Sequence, residues 1–120
     1  MRDTAAALYG FFSGFGIPAY VEETVPDNAA LPYLTYELKE PEPGGNTSLK
    51  ARVWYEGTGF GPIVDKVGQI KQAIGQGVSL PVQTGAIWLW PDTNFCQFQP
   101  TDEPKLKVAY LSLILGGYKM

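Results

Sequence analysis

The sequence predicts an α+β fold: one mostly antiparallel sheet with an N-terminal helix and a central amphipathic helix packed on it, and a long hairpin with a projecting loop. Three observations lead there. Apolar residues recur at three- and four-residue spacing near the N-terminus and again in the middle of the chain. Between and after those stretches, apolar and polar residues alternate with the period of a strand. The order helix, strands, helix, strands has no repeating strand–helix unit, so a parallel α/β architecture is not expected. With 120 residues the chain is expected to form a single domain, 1–120, able to bury about two-thirds of its unfolded surface.

The first helix rests on Ala5, Leu8, Phe12 and Phe15, joined by Tyr9 and Phe11, with Asp3 or Thr4 as its cap and Gly14 or Gly16 as its stop. "IPAYVEETVP" then reads as a short strand in which Ile17, Ala19 and Val21 alternate with Tyr20 and Glu22, ended by the turn "PDN". Next comes "LPYLTYELK", with Leu34, Tyr36 and Leu38 on one face, and Pro32 at the start where a missing N–H is tolerated. "EPEPGGNT", Glu40 to Thr47, is too rich in proline, glycine and carboxylate for a core element and is read as a loop. Alternation resumes with Leu49, Ala51, Val53 and Tyr55 against Lys50, Arg52, Trp54 and Glu56, completing the long hairpin.

The central helix follows from Phe60, Ile63, Val64, Val67, Ile70 and Ile74, with Pro62 suited to its first turn and Gly75 to its C-terminal stop. Three strands finish the chain: "VSLPV" to "AIWLWPD", then "NFCQFQ", then "KLKVAYLSLILGGY". The last is apolar on both faces, with Ala109, Leu111, Leu113 and Leu115 on one and Leu106, Val108, Tyr110 and Ile114 on the other. A strand of that kind is central in its sheet or covered by a partner.

Composition narrows the function. Charged residues make up 18% and hydrophobic residues 45% of the chain, below the usual charged share of about 25%. Such a surface is expected to be committed to partners. The net charge of −3, with no Lys/Arg run, argues against a grip on nucleic acid. No apolar stretch approaches the ~18 residues of a membrane helix, and glycines and Asp3 break up the N-terminal segment where a signal peptide needs a clean apolar run. A cytosolically made, non-membrane protein is therefore expected. There is no histidine, which removes the commonest general base, the commonest zinc and iron ligand, and every Ser/His or Cys/His nucleophile pair.

The remaining candidates for chemistry each have a plainer reading. "GTGFG", Gly57 to Gly61, precedes a helix but lacks the Lys-Ser/Thr of a P-loop, so it reads as a strand-to-helix turn. The carboxylates around the hairpin, Glu22, Glu23, Asp27, Glu37, Glu40 and Glu42, form no D-x-D-x-D-G calcium loop and read as solvated turns and edges. Cys96, the lone cysteine, excludes an internal disulfide, has no basic activator near it in sequence, and reads as a small buried hydrophobe. No catalytic, cofactor or metal residue is assigned, and no enzyme is expected. Tryptophan anchors interfaces, so Trp54, Trp88 and Trp90 are read either as contact residues or as residues buried by a two-sided sheet. The same question attaches to Leu113 and Leu115. The loop residues Glu40, Pro41, Glu42 and Pro43 complete the candidate interface, and deleting Glu40 to Asn46 is expected to spare the fold and weaken assembly.

Over essentially its whole length the chain resembles the tail-terminator, or tail-completion, proteins of long-tailed bacteriophages, minor tail proteins of the siphophage type. The likeness is carried by "VPDNAALPYLTYEL", where such proteins have a proline turn followed by "LPYV" and an alternating strand, and by "ARVWYEG" leading into the amphipathic "IVDKVGQIKQAI" helix. It implies a virion structural protein that forms a homohexameric ring at the head-proximal end of the tail tube, stops tube growth and offers a surface to the head connector. Implied partners are further copies of itself, the major tail tube protein and the head-to-tail connector, with DNA passing through unbound. Implied locations are the neck-proximal tail of the virion and, during assembly, the host cytoplasm. No functional residue carries over from the family one by one. The alternative is a head-to-tail connector or head-completion protein of the neck. A small ligand-binding or enzymatic domain using "GTGFG" and the acidic hairpin is the third reading.

Overall fold

The computed structural model of the protein describes residues 2–42, 44–83 and 85–119. Its elements are α1 (Arg2–Phe12) running into a 3-10 turn (Ser13–Phe15), β1 (Ala19–Val21), β2 (Tyr33–Tyr36), β3 (Asn46–Glu56), α2 (Gly61–Ile74), β4 (Val78–Val82), β5 (Gly85–Pro100) and β6 (Leu106–Lys119). The strands form one six-stranded sheet in the order β1-β2-β3-β6-β5-β4. Every neighbouring pair is antiparallel except β1 with β2. The α+β class expected from the sequence is the class observed.

Both helices lie on one face of this sheet. From α1, Leu8 and Phe12 are fully buried, and Phe12 stacks on Tyr36 of β2 with ring centres 4.7 Å apart. Tyr9, expected on the same face, is 56% exposed, because one step along a helix turns the side chain about 100° away from Leu8. The helix begins at Arg2, so Asp3 and Thr4 lie inside its first turn and do not precede it as caps. There Asp3 complements the positive end of the helix dipole. The stop falls at Gly16, whose φ of 82° suits glycine.

From α2, Ile63, Val67, Ile70 and Ile74 are buried, whereas Val64 is exposed. Each such apolar side chain contributes roughly 1.5–3 kcal/mol on burial, so this one row dominates the docking of α2. Lys66 ties the two helices together: its Nζ donates to the Phe15 carbonyl at 2.6 Å and to Gln69 Oε1 at 3.0 Å. A cation on the closing carbonyls of the first helical segment is favoured by the local dipole.

The sheet departs from expectation at two places. β1 starts at Ala19 and not at Ile17, and runs parallel to β2. Pro18 has no N–H to give to a ladder, although its carbonyl accepts from Leu34 N–H at 2.8 Å. "AIWLWPD" and "NFCQFQ", expected as separate strands, belong to the single strand β5. The turn-like "PDTN" between them is a bulge, across which the register passes from Pro91↔Leu113 to Cys96↔Leu111. Asp92 Oδ1 accepts the Thr93 N–H at 2.7 Å inside it, supplying the turn chemistry that the sequence advertises. The boundary instead separates "VSLPV", which is β4, from β5.

The expected hairpin joins β2 to β3, with Tyr33↔Trp54 through Tyr36↔Ala51 in register and Glu37 N–H reaching the Lys50 carbonyl. Beyond it, the chain crosses to the far end of β6. Gly44 N–H donates to the Gly117 carbonyl at 2.8 Å, and Gly117 N–H to the Gly45 carbonyl at 3.2 Å. No described helix is long and apolar enough to cross a membrane.

Candidate assembly surface

Because side chains alternate across a sheet, the residues that do not face α1 and α2 form a second, helix-free face. Tyr33 and Thr35 of β2, Lys50, Arg52 and Trp54 of β3, Tyr110 and Ser112 of β6, and Gln97 and Gln99 of β5 all occupy it by register. The sequence pattern had set Lys50, Arg52 and Trp54 opposite the apolar row of their strand, and that alternation is what the sheet realises.

Trp54 is half-buried in this face: its Nε1 donates to Thr35 Oγ1 at 3.1 Å, and its ring lies 6.4 Å from that of Tyr33. Tyr33 meets Tyr20 of β1 edge to face at 5.8 Å. Arg52 sits at the centre of the surface. Its Nη1 lies 3.2 Å from Glu22 Oε1, and its guanidinium covers the Tyr110 ring at 5.2 Å. The Glu22 contact is an ion pair without hydrogen-bond alignment, and Arg52 Nε is buried with no hydrogen-bond partner among the described residues.

Two shallow grooves meet at Arg52. One, of about 410 Å³, lies between Glu22, Tyr33, Thr35 and Trp54. The other, of about 400 Å³, lies over Lys50, Gln97, Gln99, Tyr110 and Ser112. No carboxylate lines the second groove. Lys50 Nζ rests on the neutral Ser112 Oγ at 3.1 Å, while nearby Glu37 is taken up by the Lys50 N–H and by Lys39.

The other expected interface residues divide. Trp88 and Trp90 lie on the helix-free face, in register with Gly116 and Ile114. The Trp90 ring folds over Gly116 so closely that a Cβ there would stand 2.9 Å from it. Leu113 and Leu115 point the other way and are 0% exposed beneath the helices. They are core residues, out of reach of a partner, because the helix layer uses the face of β6 on which they fall. Pro41 is buried, passing with Glu42 over Gly117, and Glu42 is exposed. Glu40 is exposed too, while Pro43 lies outside the described residues. Since Gly44 to Asn46 pair with Gly116 and Gly117, deleting Glu40 to Asn46 would remove sheet as well as loop, contrary to the expectation that the fold would be spared. A substitution at Glu42 isolates the exposed part.

The features weighed for chemistry have structural places. Phe60 of "GTGFG" meets the Phe98 ring at 6.1 Å and lies under Lys107 Nζ, and Gly57 N–H donates to the Lys105 carbonyl at 2.7 Å. Burial pushes the Cys96 thiol up from its ordinary range, with the Lys71 charge pulling the smaller amount back. A protonated thiol is a poor nucleophile. Among the described residues no three His, Cys, Asp or Glu side chains gather as a metal site.

Sequence reasoning missed the groove over Lys50 and the role of Gly116 and Gly117. Period-two alternation placed Lys50, Arg52 and Tyr110 on their faces; only the strand order brings those faces together. The paired glycines were a usable signal, since adjacent glycines inside a strand mark close approach of other atoms.

No family model and no curated protein matches the sequence. Eight chains of solved structures do match in fold. One is a chain of a structure described as "Virion of native gene transfer agent (GTA) particle": it shares 13% identity, and the alignment covers 96% of this chain and 97% of that one at a TM-score of 0.66. At that identity the likeness is one of fold.

Proposed function

We propose that the chain is a structural subunit of a phage-type virion, a tail-terminator-like protein that assembles as a homohexameric ring at the head-proximal end of the tail tube. There it ends tube growth and joins the tail to the head connector. The observation that carries the reading is the near end-to-end correspondence of fold with a chain of a gene transfer agent virion, together with the sequence resemblance to tail-completion proteins. A helix-free sheet face bearing Trp54, Tyr33 and Arg52 supports it, since half-buried aromatics and arginine are the residues that anchor protein contacts. The work proposed is geometric and needs no cofactor. A chain of net charge −3 would let DNA slide past without adhering.

Light scattering and negative-stain imaging of the purified protein, with and without tail tube protein, test the proposal. Rings, or monomers that join only on tube ends, are expected. A protein that stays monomeric and ignores tubes would overturn it. Loss of the gene should give over-long tails; leaking heads with tails of normal length would move the protein to the neck connector.

A further inference from the structure

We infer that the groove over Lys50, Gln97, Gln99, Tyr110 and Ser112 receives the acidic loop Glu40–Gly45 of a second copy, head to tail. The inference rests on the ring reading and adds to it the two surfaces that meet.

Charge complementarity selects the pair. The chain as a whole is acidic, with 12 Asp and Glu against 9 Lys and Arg, yet this groove holds Lys50 and Arg52 and no carboxylate. Lys50 Nζ donates to the neutral Ser112 hydroxyl, while the nearby Glu37 carboxylate is engaged by the Lys50 N–H and Lys39, and the flanking Gln97 and Gln99 amides and Tyr110 hydroxyl can donate to an oxygen anion. The groove is therefore a cation with neutral donors around it, built for a carboxylate.

The segment 40–45 supplies one. It holds Glu40 and Glu42 and no cation, and Glu42 is exposed. Its base is fixed by the Gly44 and Gly45 hydrogen bonds to Gly117, so little ordering cost is left to binding. Glu42 does not sit in the groove of its own chain. Its backbone lies against Gly117 while the groove lies at Tyr110 to Ser112, about 16–23 Å back along the strand at ~3.3 Å per residue. A contact between two different patches of identical subunits is heterologous, and heterologous contacts give rings when their rotation closes. Another exposed acidic turn, at Asp102 and Glu103, has Lys105 beside it, and Glu103 shares a mixed-charge depression with Lys105 and Glu56; Glu23 and Asp27 are exposed as well, but as single carboxylates four residues apart after β1. Each is a weaker match for a cation.

The test uses the full chain with Cys96→Ala, folding checked by circular dichroism, carrying Glu42→Cys in one protein and Ser112→Cys in another. Mixed under assembling conditions and oxidised, the two should form a covalent heterodimer, and neither alone should. Independently, Lys50→Glu should weaken association at least tenfold at low salt, and adding Glu42→Lys should recover most of the loss. Oligomers that form without the cross-link, or that cross-link Ser112→Cys to Asp102→Cys instead, would overturn this contact and leave the ring reading intact. Absence of any oligomer, with or without tube protein, would overturn both.

Discussion

Gly116 is enclosed by the Trp90 ring and Asn46 Oδ1, each 2.9 Å from where a Cβ would stand. Gly68, on the outer side of α2, has nothing within 4 Å. The same substitution should therefore have opposite signs at the two positions. Gly116→Ala should cost about 1–3 kcal/mol through overpacking. Gly68→Ala should stabilise by roughly 0.5–1 kcal/mol by removing glycine from a helix interior. Urea unfolding followed by tryptophan fluorescence measures both, and Gly116→Ala should also alter the folded-state emission as Trp90 is displaced. The contrast between Trp54 and Leu113 is of the same kind. Both stood as candidate contact residues on sequence grounds, and only the side of the sheet taken by the helices separates a half-buried tryptophan on the open face from a core leucine.

At the scale of elements, Phe12 of α1 stacks on Tyr36 of β2, one of the contacts that hold the helix to the sheet. Burial, reinforced by the nearby Tyr9, raises the Tyr36 pKa above its ordinary 10.0. Burial, with the Asp65 charge, does the same for Tyr55 beside α2. In each case the unfolded chain ionises first. The stabilisation from the neutral hydroxyl is whole below the unfolded value and is lost as pH rises through the folded one. The urea midpoint should thus fall as pH rises past the ordinary tyrosine value of about 10, and Tyr36→Phe should flatten that fall while keeping the stack. Tyr36→Ala, which removes the stack, should cost about 3–5 kcal/mol at every pH. The bulge in β5 belongs to this scale also. "PDTN" has turn chemistry, and it ended a strand in the sequence reading because nothing local reveals that β6 supports the strand on both sides of the interruption.

For the whole molecule, dimensions follow from strand length. β5 spans 16 residues, about 50 Å at ~3.3 Å each, against a longest axis of 47 Å. One helix layer on one curled sheet makes a body 22 Å along its shortest axis, and the helix-free face of the sheet carries polar and aromatic residues. Stability should be graded across it. β6 is bordered by β3 and β5 along most of its length, whereas β1 is an edge strand of three residues. Native-state hydrogen exchange should be slowest at the amides of Leu111 and Leu113 and faster by orders of magnitude in β1. Equal protection in β1 and β6 would contradict this layering.

The sequence alone determined the α+β class, the two helices and their buried rows, the alternation of β3 and β6, and a composition without imidazole. Those properties are set by spacing along the chain, which fixes the faces of a helix or strand before any long-range contact forms. Only the tertiary structure decided which face of β6 the helices cover, that β1 runs parallel to β2, that β5 continues through its bulge, and that Lys50, Gln97 and Ser112 line one groove. These depend on which strands become neighbours, and strand order is a non-local choice made by the joint burial of the whole apolar surface.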